Sequence, residues 1–122
     1  MTNEITLAKQ QFSDVLDTAG IRILSYVPER VTPPIVIVNS GSPYLTADSI
    51  DNEFILSLEL VCIAATATNK QASEKLDELI QDVIGALPQY AKLGSVGQPY
   101  LWATNNAEYL TSSISVDLRI TL

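Results

Sequence analysis

Three groups of side chains in this sequence have chemistry to weigh. They are a single thiol at Cys62, a set of charges at Glu59, Asp117 and Arg119, and an acidic run at Glu74, Asp77, Glu78 and Asp82. A lone thiol acts as a nucleophile only where a neighbouring base holds it as thiolate. The 122-residue chain has no histidine, which removes imidazole as that base, as a Ser-His partner and as a metal ligand. One cysteine also excludes an internal disulfide and a thiolate zinc site, and it fits synthesis in a reducing compartment. Two carboxylates can serve as general acid and base, but only in a cleft that raises the pKa of one. Nothing in the sequence supplies such a cleft, so the expectation for Glu59, Asp117 and Arg119 is an exposed cross-strand ion pair. The acidic run lacks a further ligand set and reads as a solvated helix face. The five glycines are scattered and none opens an amphipathic helix, which leaves no phosphate-binding loop. The expectation is a chain with no catalytic residues, no cofactor and no metal.

Charge and composition narrow the partners. There are 7 basic and 14 acidic side chains, a formal charge of -7 and a pI near 4.3. Such a surface does not neutralise phosphates, so nucleic acid is not an expected ligand. The start, Met1-Thr2-Asn3-Glu4, is no basic leader, and no apolar run approaches the roughly 18 residues of a membrane span. Only 17% of residues are charged against about a quarter in an ordinary soluble domain. That shortage points to surface reserved for something other than water. The length suits one domain, residues 1–122.

The elements that would position these residues follow from periodicity. Ile5, Ala8, Phe12, Val15, Leu16 and Ala19 share one face of a helix over about residues 3–18, with Asn3 as N-cap and Gly20 as its left-handed stop. Residues 21–26 are a short strand or an extended connector. Pro28, Pro33 and Pro34 then impose an irregular segment before the β-branched run 35–38, which is apolar throughout and is expected to be covered on both faces. Residues 41–52 read as a loop whose Tyr44, Leu45 and Ile50 either pack back onto the sheet or face a partner. Over 54–65, Phe54, Leu56, Leu58, Leu60 and Cys62 alternate with Ile55, Ser57, Glu59, Val61 and Ile63, a strand with one fully apolar face.

Thr68-Asn69-Lys70-Gln71 has the form of a capping box, and it leads into a helix with Ala72, Leu76, Leu79, Ile80, Val83, Ile84 and Leu87 on its inner stripe. Pro88 ends that helix. Residues 90–98 read as a loop, 99–103 as a strand and 104–107 as a turn. The last strand alternates Leu110, Ser112, Ile114, Val116, Leu118, Ile120 and Leu122 against Thr111, Ser113, Ser115, Asp117, Arg119 and Thr121. The predicted fold is α+β: a mixed, mainly antiparallel sheet of about four strands, with both helices on one face. Its outer face, rich in Ser, Thr, Asp, Glu and Arg, meets solvent, a neighbouring subunit or a wet lumen.

Aromatic and proline residues outside regular elements, among them Tyr26 and Tyr90, fit an assembling protein, because such side chains combine rigid area with a polar handle. Pro33, Pro34, Tyr44, Leu45, Tyr100 and Trp102 are the candidate interface residues. The chain also resembles the tail terminator (minor tail) proteins of long-tailed, non-contractile bacteriophages. The resemblance rests on Leu16-Asp17-Thr18-Ala19-Gly20, on the proline-rich run from Val27 to Val38, and on Gly41-Ser42-Pro43-Tyr44-Leu45. Ala64-Ala65-Thr66-Ala67-Thr68-Asn69 and Leu76-Asp77-Glu78-Leu79-Ile80 complete it. It implies a virion protein of the tail and neck, assembled in the host cytoplasm, with no catalytic site. Such a protein would form a hexameric ring on the finished tail tube, end its polymerisation and offer a docking surface to the head connector. Its partners would be its own copies, the tail tube protein and the connector, with DNA only in transit through the lumen and no membrane. The alternatives are a head-closure or other neck ring protein, and a cytosolic small-ligand-binding or enzymatic oligomer.

Overall fold

The computed structural model describes residues 3–26, 31–47, 52–66, 68, 70–104 and 107–121. The expectations placed on Met1-Thr2, on 27–30, on Ile50, Ala67 and Asn69, on the Asn105-Asn106 turn and on Leu122 lie outside the described residues. The order is α1 (Glu4–Thr18), β1 (Ile23–Leu24), β2 (Ile35–Ala47), β3 (Glu53–Thr66), α2 (Ala72–Ala86), β4 (Ala91–Val96), β5 (Tyr100–Thr104) and β6 (Ala107–Thr121).

Both ends of α1 form as the sequence indicates. The Asn3 side chain accepts the Thr6 N–H at 2.7 Å, which satisfies one orphan donor of the first turn. At the other end Gly20 takes φ +89°. The Gly20 N–H donates to Asp17 O at 3.0 Å and the Ile21 N–H to Leu16 O at 3.1 Å, the double closure of a Schellman motif. Leu16 and Ile21 are both buried in the same core, so the cap also fixes the exit of the chain. Val15 and Ala19, at the margin of the predicted stripe, are exposed.

The second helix starts later than the capping-box reading places it. Its N-cap is Gln71, with no side-chain cap bond, and the Thr68 hydroxyl instead lies 3.3 Å from that of Thr66. Thr68 thus stands beside the end of β3, four residues before the first residue of the helix, and not at its N-cap. Ala72, Leu76, Leu79 and Val83 are buried, whereas Ile84 is exposed at the stripe's edge. Leu87 is extended, as a residue before proline must be, and the helix ends at Ala86.

Six strands form one mixed sheet, two more than the sequence reading counts, in the order β1-β2-β3-β6-β4 with β5 also on β6. The β1–β2 pair is parallel and the other pairs are antiparallel. The additional strands are β1, resolving the 21–26 alternatives, and β4, which replaces the loop expected over 90–98. The 41–52 loop is also corrected. β2 continues to Ala47, with its register shifting between Ser40 and Leu45 before Leu45 meets Leu56 and Ala47 meets Phe54. Of the turn-forming residues Asn39 to Pro43, Asn39 and Ser40 pair with Glu59 and Leu58, and Gly41 to Pro43 are absorbed in the irregularity, where a missing amide donor is tolerated. Gly41 sits there because a Cβ would fall 2.9 Å from the Ser57 Cβ and carbonyl oxygen.

The core has two parts. Both helices cover one sheet face, where Phe12, Leu16, Leu76, Leu79 and Val83 pack on Val36, Val38, Leu56, Leu60, Ile114, Val116 and Leu118. Tyr44 and Leu45 are half-buried against this cluster, so both pack back onto the sheet and keep part of their surface exposed. A second cluster on the opposite face joins Val31, Ile35, Ile37, Ile63 and Tyr109, flanked by Trp102. The run 35–38 is apolar at every position because its alternate residues enter different clusters. β3 and β6 are the central strands, as their long alternating patterns require.

Candidate assembly surface

The charges singled out in the sequence do share a face. The β3–β6 register sets Ser57 opposite Asp117, Ile55 opposite Arg119 and Glu59 opposite Ser115, all on the side away from the helices. The contacts differ from the expected pair. The Ser57 hydroxyl donates to Asp117 at 2.9 Å, and Arg119 lies 3.6 Å from Glu53 rather than from Glu59 or Asp117. Glu53 wins because it and Arg119 meet near the end of the β3–β6 ladder, where the long guanidinium arm reaches it diagonally. Glu74, Asp77, Glu78 and Asp82 all lie exposed on α2. Cys62 is fully buried in the helix-side core, where desolvation raises its thiol pKa to about 12. It is neither reachable nor ionised near neutrality. Among the described residues no helix is long and apolar enough to cross a membrane.

The apolar candidates lead elsewhere, to the two edges of the sheet. β4 and β5 lie one after the other on the same side of β6, from Ala91 opposite Leu118 to Thr104 opposite Ala107. Between them the Gly97 N–H donates to Ser113 O at 2.7 Å, and Gly97 O accepts the Ser112 hydroxyl at 2.8 Å. Residues 91–104 thus behave as one interrupted edge strand with its outer backbone side unpaired among the described residues. Leu93, Val96 and Leu101 oppose Val116, Ile114 and Leu110, so they form a row on the helix side of that edge. All three are exposed, Leu101 to 59%. Tyr100 and Trp102 point to the other face, where the Trp102 ring lies 6.4 Å from that of Tyr109 and the Tyr109 hydroxyl donates to Val31 O at 3.5 Å.

The opposite edge is β2. β1 pairs with it only at Val36 and Ile37, and no described strand covers its outer side from Val38 to Ala47. Lys9 of α1 donates to the Tyr44 hydroxyl at 3.1 Å and stands 5.4 Å over its ring, which fixes the helix beside this edge. Where β1 stops, a groove of about 520 Å³ opens between α1 and β2, floored by Val38 and Leu58 and walled by Ile23, Leu24, Lys9 and Gln10.

The six predicted interface residues therefore do not form one patch. Tyr100 and Trp102 lie on the β5 edge, with Ile37, Asn39 and Val61 around a groove of about 190 Å³. Tyr44 and Leu45 belong to the β2 edge. Half-buried Pro33 and exposed Pro34 lead into β2 beside the second cluster. Sequence reasoning misses Leu93 and Val96 because Gly94 and Gly97 disguise their strand as a loop, and it places Leu101 in a strand without marking it as exposed surface. Their spacing against an acid-free stretch, in which Lys92 is the sole charge between Asp82 and Glu108, is the signal that marks them. No protein-family model matches the sequence, and comparison with curated proteins finds no significant match.

Proposed function

We propose that this chain is a non-enzymatic structural subunit that assembles with its own copies into a ring. In this reading the ring, hexameric in the proteins the sequence resembles, sits at the head-proximal end of a phage tail tube. There it ends tube polymerisation and gives the head connector a docking surface. The observation that carries the reading is the pair of open, unlike sheet edges on opposite sides of one small domain. Two different complementary surfaces produce head-to-tail contacts, and such contacts close into rings when the rotation between copies allows it. The charge balance supports the same job, because a ring of subunits at -7 each does not retain DNA passing through it.

The test is native mass spectrometry of the purified protein, followed by electron microscopy of tail tubes mixed with it. Closed oligomers that cap one end of the tubes are expected. A strict monomer that leaves tubes uncapped sinks the proposal. Rings that ignore tubes but bind the connector would move the protein to the head-closure side of the neck. A ligand-dependent rise in melting temperature in a metabolite screen would favour a ligand-binding oligomer instead.

A further inference from the structure

We infer that copies join by strand addition: the 91–104 edge of one copy pairs with the open 39–47 edge of β2 in the next, and Leu93, Val96 and Leu101 enter the groove between β2 and α1. The inference rests on the ring reading and assigns its contact surfaces.

Charge selects the occupant. A chain with 14 carboxylates repels its own copies wherever carboxylates meet. The helices expose Asp14, Asp17, Glu74, Asp77, Glu78 and Asp82, and the far sheet face holds Glu53, Glu59 and Asp117. The two edges are exempt. β2 has no charged residue, and residues 91–104 have only Lys92. Among the described residues that line the groove beside β2 there is likewise no carboxylate, and Lys9 is the one charge. A second copy is thus the partner for which these strips are the points of least repulsion.

Geometry selects the mode. A sheet continued across two copies keeps the same side chains on the same side, since residues paired across strands point together. Leu93, Val96 and Leu101 are on the helix side of their edge, and the groove lies on the helix side of the other. Pairing the edges carries the exposed apolar row directly over Val38 and Leu58. Among the described residues the pairing of β1 with β2 ends at Ile37, so no described strand occupies the edge beyond it. Backbone hydrogen bonds then satisfy both open edges, which would otherwise template indiscriminate pairing.

The test uses the full chain in three forms. Val96→Glu with Leu101→Glu charges the first edge. Gln10→Glu with Ser40→Glu charges the groove, using two exposed residues that line it. Val15→Glu with Ile84→Glu is the control, at sites 36% and 39% exposed on the helices. Each of the first two proteins alone is expected to be monomeric by native mass spectrometry. Their equimolar mixture is expected to give a dimer of twice the 13.3 kDa chain, through the one intact pair of surfaces. The control is expected to assemble as the parent does. A groove variant that still dimerises alone overturns the inference, because the edge would then pair with itself. Edge variants that assemble normally overturn it too, while leaving the ring reading intact; a parent that never assembles removes the ring reading itself. Hydrogen exchange on the parent gives a measure independent of folding in the variants. Amides of 39–47 and 91–104 are expected to gain protection on assembly, and unchanged exchange there refutes the contact.

Discussion

A thiol that is fully buried and raised to about 12 gives the chain a built-in reporter of folding. Cys62 lies among apolar side chains of the helix-side core, so water cannot stabilise the thiolate there. It is expected to stay unlabelled by a maleimide or an aromatic disulfide reagent in the native protein, and to react once urea unfolds it. The same shift sets a direction with pH. From its ordinary 9.0 up to about 12, the folded chain keeps a proton that the unfolded chain releases, so this group's stabilising share falls as pH rises through that window. Cys62→Ala is expected to flatten the alkaline fall in melting temperature relative to the parent; an identical slope refutes the assignment. Trp102 makes a second case at this scale. Half-buried beside Tyr109 on the face away from the helices, it supports the second cluster rather than the helix-side edge row. Trp102→Ala is expected to cost about 0.5–3 kcal/mol in urea unfolding and to leave assembly in place. Lost assembly at unchanged stability would put the indole against a partner.

At the scale of elements, two glycines separate backbone from packing. Gly41 lies in the β2 irregularity, where any Cβ presses on the backbone of Ser57. Gly41→Ala is expected to destabilise by about 1–3 kcal/mol, since neither strand can retreat from the central ladder. Gly85, in the last turn of α2, has nothing within 4 Å of a Cβ, and Gly85→Ala is expected to stabilise by about 0.4–1 kcal/mol. Thermal melts of the two variants should move in opposite directions, and equal shifts would show that β2 is looser than its register implies. These positions also show why the sequence is legible in parts. α1, β3 and β6 have one face in the core and one outside it for most of their length, so their periods survive in the residue types. β2 departs from its turn-forming composition because the long apolar row of β3 pairs with its second half. β4 exposes nearly every residue, so no alternation is imposed on it and its glycines read as loop. The candidate surface follows the same logic. Tyr44, Tyr100 and Trp102 are visible by type, whereas Leu93, Val96 and Leu101 acquire meaning only when pairing with β6 puts them in one row.

The whole molecule is acidic and short of charge, both edges of its sheet are open among the described residues, and salt connects these properties. Copies at -7 each repel at long range, and that repulsion is screened within about 10 Å at 0.1 M salt and about 3 Å at 1 M. A contact made through acid-free edges has no ion pairs for salt to weaken, and its backbone bonds and apolar row are indifferent to screening. Self-association is therefore expected to tighten as sodium chloride rises from about 20 mM to about 500 mM, read as a falling dissociation constant in sedimentation velocity. An interface built on Lys9, Lys92 or Arg119 against carboxylates of the next copy gives the reverse, because the attraction would be screened along with the repulsion. A dissociation constant that rises with salt would thus place charge at the centre of the contact and exclude the two edges. A falling one would locate assembly where the chain has no carboxylates, and would make its acidity a device that keeps copies from meeting anywhere else.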